Sequence, residues 1–227
     1  MLTSEALNSL LREPLRATVL DSVGSTNTFL AQQALEGAAA GTVVIAREQT
    51  AGRGLRDHSF FSPAGSGLYM SLLLRPHIPA ELALLVSPAA GVAVSRALED
   101  VSGRRTQIKW VNDVLMDDQK VCGILTEARG GSRSAPDFVV CGIGINLCQP
   151  AGGFPPELRG VAGAVFDAYP GDEQAASLAA AVLNGLWELC SRLPSKELIC
   201  SEYLRRCRPG DRASYGEEEP LRRLLGL

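Results

Sequence analysis

Histidine is nearly absent from this chain, with His58 and His77 the only two. The six cysteines, at 122, 141, 148, 190, 200 and 207, form no Cys-x-x-Cys pair. These shortages argue against a zinc site, and the thiols read as free and mostly buried. Basic residues are not in excess either: 22 Lys and Arg stand against 25 Asp and Glu, for a net charge of −3. That balance supplies no electrostatic footprint for nucleic acid or for an anionic membrane surface. No uninterrupted apolar run reaches the ~18 residues of a membrane span. Met1 to Pro14 lacks the basic-then-apolar form of a signal peptide, so the expected location is cytoplasmic. No internal repeat or low-complexity tract is visible. What remains is 227 residues, 46% hydrophobic and 21% charged, an ordinary globular composition long enough to bury a core.

Local patterns divide the chain into elements. Leu15 to Asp21 predicts a first strand, and Ser25-Thr26-Asn27 supplies cap chemistry for a helix from Thr28 to Gly37. Val43 to Arg47 and Leu68 to Arg75 read as strands, and Glu81 to Val101 as helix, with Pro88 tolerated where a new turn begins. Three closely spaced strands follow, Thr106 to Val111, Val121 to Arg129 and Phe138 to Leu147, the first two joined through Asp117-Asp118-Gln119. Pro150 to Pro170 reads as loop. A helix carries Val182, Leu186, Leu189 and Leu193 on one face, Pro194 breaks it, and another runs from about Lys196 to Cys207. Successive strands with unevenly inserted helices predict an α/β or α+β fold with a mixed sheet flanked by helices.

Several short segments carry the chemistry. Gln49-Thr-Ala-Gly-Arg-Gly54 places Arg53 between two glycines at the mouth of a strand, where a planar fork of donors and bare backbone can meet an anion. Lys120 opens a strand just before Gly123; with Arg53 it makes two cations on separate segments, suited to neutralising a carboxylate–phosphate pair in an acyl transfer. Asp113, after Asn112, is either a hard oxygen ligand for magnesium or a turn residue. Gly142-Ile-Gly-Ile-Asn146 lacks the third glycine and the following helix of a dinucleotide loop, so its glycines imply close backbone passage beside a ligand. Ser25-Thr26-Asn27 can both cap a helix and fix a small polar head group.

Ser25-Thr-Asn27, Gln49-x-x-Gly-Arg-Gly54, Lys109-Trp-x-Asn-Asp113, Lys120-x-x-Gly-Ile-Leu125 and Gly142-x-Gly-x-Asn146 occur in the order and at about the spacings of biotin–protein ligases. The chain resembles that family over about residues 15 to 207. The resemblance implies a catalytic core like that of class II aminoacyl-tRNA synthetases. It also implies two chemical steps: biotin and Mg-ATP give biotinyl-5′-adenylate and pyrophosphate, and a lysine of a biotin carboxyl carrier domain then attacks the mixed anhydride. Carried over by position, Ser25, Thr26, Asn27 and Gln49 hold the biotin head group. Arg53, Gly54 and Leu55 lie on the loop closing over biotin and adenylate, and Lys120 contacts the carboxylate and α-phosphate. Trp110, Asn112, Asp113 and Asn146 line the nucleotide side, with Asp113 the magnesium-linked residue. Gly123, Gly142 and Gly144 wall the biotin slot.

This chain departs from the pattern in two places. The family usually carries a second arginine, an Arg or Asn and a Trp where Leu55, His58 and Phe60 stand here. Residues 208–227 read as a shortened remnant of the family's small C-terminal β domain, after a catalytic domain of residues 1–207. The short stretch ahead of Ser25 leaves no room for the DNA-binding domain of some members, so neither nucleic acid nor membrane is an expected partner; homodimerisation stays open. Two alternatives accompany this reading, a lipoate or octanoate transferase of the same fold and a catalytically weakened biotin-binding protein.

Overall fold

The computed structural model describes residues 2–130, 135–208 and 219–226. In chain order these form α1 (Ser4–Asn8), β1 (Arg16–Leu20), α2 (Thr26–Leu35), β2 (Thr42–Ala46), β3 (Gly67–Leu74), α3 (Ala80–Ala83), α4 (Val86–Ser102) and β4 (Gln107–Lys109). After them come β5 (Asp113–Met116), β6 (Gln119–Arg129), β7 (Phe138–Asn146), α5 (Asp172–Ser191), α6 (Glu197–Arg206) and α7 (Glu219–Leu225). The strands make one seven-stranded sheet in the order β1-β2-β3-β7-β6-β5-β4. β1 and β2 pair in parallel and every other ladder is antiparallel, the mixed sheet expected from the sequence.

Pleat parity sorts the central strands into two faces. On β3, Leu68, Met70, Leu72 and Leu74 enter the main core, as do Val139, Cys141, Ile143 and Ile145 of β7. That face is covered by α4 and α5, whose Ala89, Ala90, Ala93, Ala175, Ala179 and Leu183 are buried in the same core. Alanines keep the helix backbones close to the sheet and to each other. On the opposite face α2 covers a smaller cluster of Leu30, Ala34, Val44, Leu73, Phe138 and Val140. α2 covers only part of that face, and the rest is where the candidate site lies. Burial raises the thiols of Cys122 and Cys141, the latter to about 12. All six cysteines are free.

Several expectations are corrected by the packing. The helix read from Glu81 to Val101 divides into α3 and α4, and Pro88 falls in the first turn of α4, where an N–H has no intrahelical partner. Ala80–Ser102 has the length and hydropathy of a membrane span, yet most of it is buried inside the fold. The predicted strand from Thr106 to Val111 shortens to β4, and β5, unforeseen, joins β6 through a tight hairpin. Asp117 and Asp118 both take positive φ, 49° and 62°, the backbone that a two-residue hairpin turn with the twist of its strands demands. Where a β remnant was expected, the described part of the segment is α7, with Leu221 and Leu225 in the main core; residues 209–218 lie outside the described residues.

A buried arginine ties α6 to α4. Arg206, its side chain 7% exposed, reaches Glu99 Oε2 at 3.1 Å and Glu202 Oε2 at 2.5 Å. Hydrogen bonds from Arg205 and Arg206 hold the Glu202 carboxyl down at about 2. We predict that Arg206→Ala lowers the unfolding free energy by about 1–3 kcal/mol at neutral pH, because Glu99 keeps only its Thr106 hydrogen bonds while Glu202 keeps Arg96 and Arg205. Since Glu202 titrates lower when folded than when unfolded, its contribution is complete above about pH 4.3 and is lost as the pH falls. In urea denaturation the deficit of the variant should therefore narrow between that pH and pH 2 without vanishing, since Arg205 still pairs with Glu202 in both proteins.

Candidate functional site

The open sheet face beside α2 has a row of missing side chains. Ser71 of β3, Gly142 of β7 and Leu125 of β6 are cross-strand neighbours, and the next such row is Tyr69, Gly144 and Gly123. Three glycines in adjacent positions leave the sheet backbone bare, the floor of a cavity of about 330 Å³. Side chains crowd onto the bare backbone, Asn27 over Gly142 and Phe60 over Gly144 and Gly123. A Cβ at Gly142 would lie 2.2 Å from Asn27 Oδ1, and one at Gly144 would lie 2.4 Å from the Phe60 ring.

α2 brings its first residues over this floor. Ser25 holds the N-cap position without a side-chain capping bond, so the helix begins at Thr26 and the motif occupies its first turn. Asn27 is buried and fully engaged. Its Nδ2 donates to Leu125 O at 3.1 Å and to Glu127 Oε2 at 3.0 Å, while Oδ1 accepts from the Ser71 hydroxyl at 2.6 Å. The Ser71 oxygen also stands 2.8 Å from Thr26 Oγ1. Gln49 continues the chain, its Oε1 accepting from Thr26 N at 2.9 Å and its Nε2 donating to Ser62 Oγ at 2.9 Å. Buried amides and hydroxyls must be satisfied, and here they satisfy one another, which fixes their orientations.

The Gly-Arg-Gly segment is one leg of a small hairpin. Phe60 N donates to Gly52 O at 2.9 Å, Gly54 N donates to His58 O at 2.7 Å, and Arg53 bridges Ser59. Gly52 is obligatory there, since a Cβ would lie 2.3 Å from Phe60 O. The hairpin projects Arg53 toward Glu127, at 3.1 Å, and lays the Phe60 ring on Gly123 and Gly144. Beyond Gly123, Lys120 Nζ pairs with Asp113 Oδ1 at 2.6 Å and stands 5.8 Å from the Phe60 ring centroid. Its backbone is fixed by residues 158–163: Lys120 N donates to Val161 O, and Gly163 N to Lys120 O. The cavity thus follows the strands from buried amides at Asn27, across bare backbone, to an ammonium.

Ser25, Thr26, Asn27, Gln49, Arg53, Gly54, Leu55, Asn112, Asp113, Lys120, Gly123, Gly142 and Gly144 all line this one cavity. Trp110 and Asn146 do not. Trp110 is buried in the main core, edge-on to Tyr203, and its bond to Val111 is cis. Asn146 braces the wall instead, donating to Gly163 O at 3.0 Å. Sequence reasoning passed over Ser59, Ile124, Leu158 and Val161 in the lining. It also gave no role to Ser71 and Glu127 behind it, which lack a motif and become visible only through pleat parity. Among the described residues no group of three or more His, Cys, Asp or Glu is gathered to hold a metal.

The profile of the "Biotin/lipoate A/B protein ligase family" matches residues 19–146. The chain belongs to that family. "Bifunctional ligase/repressor BirA" of Bacillus subtilis is 40% identical over 142 residues, 63% of this chain and 43% of that protein. "Biotin--[acetyl-CoA-carboxylase] ligase" of Paracoccus denitrificans is 44% identical over 106 residues, 46% of this chain and 43% of that protein. The chain thus spans less than half the length of these two curated relatives. A structure of biotin protein ligase from Aquifex aeolicus in complex with biotin and ATP superposes with a TM-score of 0.68 at 28% identity, covering 84% of this chain and 78% of that one. Every motif that lines the cavity between Ser25 and Gly144 falls inside the stretch matched by the biotin/lipoate ligase profile.

The bare floor makes a specific demand on this ligase-family site. Gly142→Ala is expected to push Asn27 off its three partners and cost about 1–3 kcal/mol of stability, the usual penalty of overpacking. Denaturant titration measures it, and an unchanged midpoint would mean that α2 can retreat freely from the sheet.

Proposed function

We propose that this protein activates biotin with ATP and transfers it to a lysine of a biotin carboxyl carrier domain. One observation carries the reading: hydrogen-bonding amides and hydroxyls at one end of the cavity, a side-chain-free floor, and an ammonium at the other. A molecule with a polar head, an aliphatic tail and a terminal carboxylate matches that sequence of environments, and biotin is such a molecule. The relatives named as biotin ligases support the choice over lipoate. The Phe60 ring lies on the floor that the tail needs, so biotin entry requires it to swing aside.

In the first step a biotin carboxylate oxygen bonds to the α-phosphorus of ATP, the α,β phosphoanhydride bond breaks, and pyrophosphate leaves. Lys120, the ammonium at the far end of the cavity, is suited to offset the negative charge concentrated where carboxylate and α-phosphate meet. Its pairing with Asp113 aims the ammonium before the substrates arrive. Asp113 and Asn112 face the nucleotide side, and Arg53 supplies the loop's cationic fork. Asp113 is the carboxylate that would hold magnesium, and the bound ion would supply further charge neutralisation. In the second step the ε-amine of the acceptor lysine attacks the acyl carbon, AMP departs, and the amine gives up its proton. The setting is the cytoplasm.

Lys120→Ala should slow biotinyl-adenylate formation by roughly 10²–10³-fold while leaving biotin binding much less changed, since a preorganised charge matters most as charge develops. Single-turnover formation of labelled adenylate reads this directly. A variant as fast as wild type would make Lys120 a bystander.

A catalytically weakened, biotin-holding protein is the second reading, and Leu55 favours it. This side chain lines the cavity and is 40% exposed, where the resemblance leads one to expect an arginine. One missing charge-assisted hydrogen bond is worth about 1.5–3 kcal/mol, or roughly 10- to 150-fold in escape of the adenylate. Leu55→Arg is therefore expected to slow release of preformed adenylate in stopped-flow. Equal release from the two proteins would remove this position from intermediate retention.

A further inference from the structure

Glu127 stands behind the wall of the cavity. It follows Gly123 and Leu125 at strand period on β6 and so shares their face, yet it is not part of the lining. Its side chain is 19% exposed. A single oxygen, Oε2, accepts from two lining residues on different elements, Asn27 Nδ2 at 3.0 Å and Arg53 Nη1 at 3.1 Å. The other oxygen lies 3.7 Å from Arg129 Nη2.

The consequences differ for the two donors. An ionised carboxylate only accepts, so Asn27 must present its NH₂ to β6 and its oxygen to Ser71. Asn27 would keep Leu125 O and Ser71 without Glu127, so its placement is redundantly secured. Arg53 has no such backup: among the described residues its guanidinium pairs with Glu127, and its backbone lies between two glycines. Glu127 engages one nitrogen of the fork, and the fork's remaining donors can serve an anion. A free arginine on this hairpin would sample many rotamers, and binding an anion would have to order it.

We propose that Glu127 is a positioning residue, holding Arg53 at the cavity so that its remaining donors meet the anionic part of the ligand. This rests on the biotin-activation reading and adds to it a residue that touches neither substrate. Glu127→Gln is the decisive variant, because it keeps the shape and an acceptor oxygen for Asn27 but removes the charge facing Arg53. Calorimetry with biotin, and with a non-hydrolysable biotinyl-adenylate analogue, compares wild type, Glu127→Gln, Arg53→Ala and the double variant. The analogue should bind Glu127→Gln about tenfold more weakly, the value of a charge-assisted contact, with biotin alone changed by less than about threefold. In the Arg53→Ala background the same substitution should have almost no effect, the non-additivity of two residues acting as one. Glu127→Ala, which removes both contacts, should weaken biotin binding as well. A Glu127→Gln protein with wild-type affinity for the analogue, or one paying the same penalty with and without Arg53, overturns the proposal. A wild-type protein that binds neither ligand overturns the biotin reading and this inference with it.

Discussion

The site depends on what three strand positions lack. In the middle of a sheet otherwise paved with Leu, Val and Ile, Gly123, Gly142 and Gly144 leave backbone uncovered on one face only. A sheet face without side chains is a void unless something fills it, and voids in packed proteins are costly. Here Asn27 descends onto Gly142, Phe60 covers Gly144 and Gly123, and Lys120 folds over the edge of Gly123. The same absence thus admits a ligand and dictates which residues crowd around its place. Burying polar groups there is tolerable because they bond to one another, from Glu127 through Asn27 to Ser71 and from Thr26 through Gln49 to Ser62.

Among the described residues the opposite face carries no comparable polarity apart from the Arg206 cluster. α4 and α5 bury alanines and leucines against the sheet, and that rigid layer holds β3, β7 and β6 in register. Register is what places Ser71 beside Gly142 and Tyr69 beside Gly144; a slip of one residue would turn the glycines into the core and leucines into the cavity. Stability and site geometry are consequently one problem here. The hairpin carrying Arg53 and Phe60 is held differently, through Gly52 and through Tyr69, whose hydroxyl donates to Pro63 O at 2.9 Å.

Much of this was legible in the chain itself. Strands with dense β-branched and leucine runs declared themselves, and glycines spaced by two within a strand are a periodic signal that survives without any structure. The Asp117-Asp118 turn was visible, but β5 ahead of it was not, because its four residues, Asp113–Met116, are squeezed between the Asn112-Asp113 pair, which reads as a turn, and the turn that follows. Motif membership alone puts Trp110 and Asn146 on the nucleotide side, but Trp110, in the turn after β4, packs edge-on to Tyr203, and Asn146, at strand period with Gly144, reaches past the cavity to the loop at Gly163. Glu127 and Ser71 were illegible for the opposite reason. An acid or a serine on a strand is ordinarily a solvated residue, and only cross-strand pairing reveals that these two face Arg53 and Asn27.

Under the proposed function, a polar pocket, a bare floor and an ammonium in series serve to activate an acid, beyond merely holding it. Pyrophosphate release by the purified protein, followed with ATP and magnesium in the presence and absence of biotin and of a biotin carboxyl carrier domain, measures this most directly. Release is expected to require biotin and to continue past one equivalent per protein when the acceptor is present. Saturable biotin binding with no biotin-dependent pyrophosphate would contradict it.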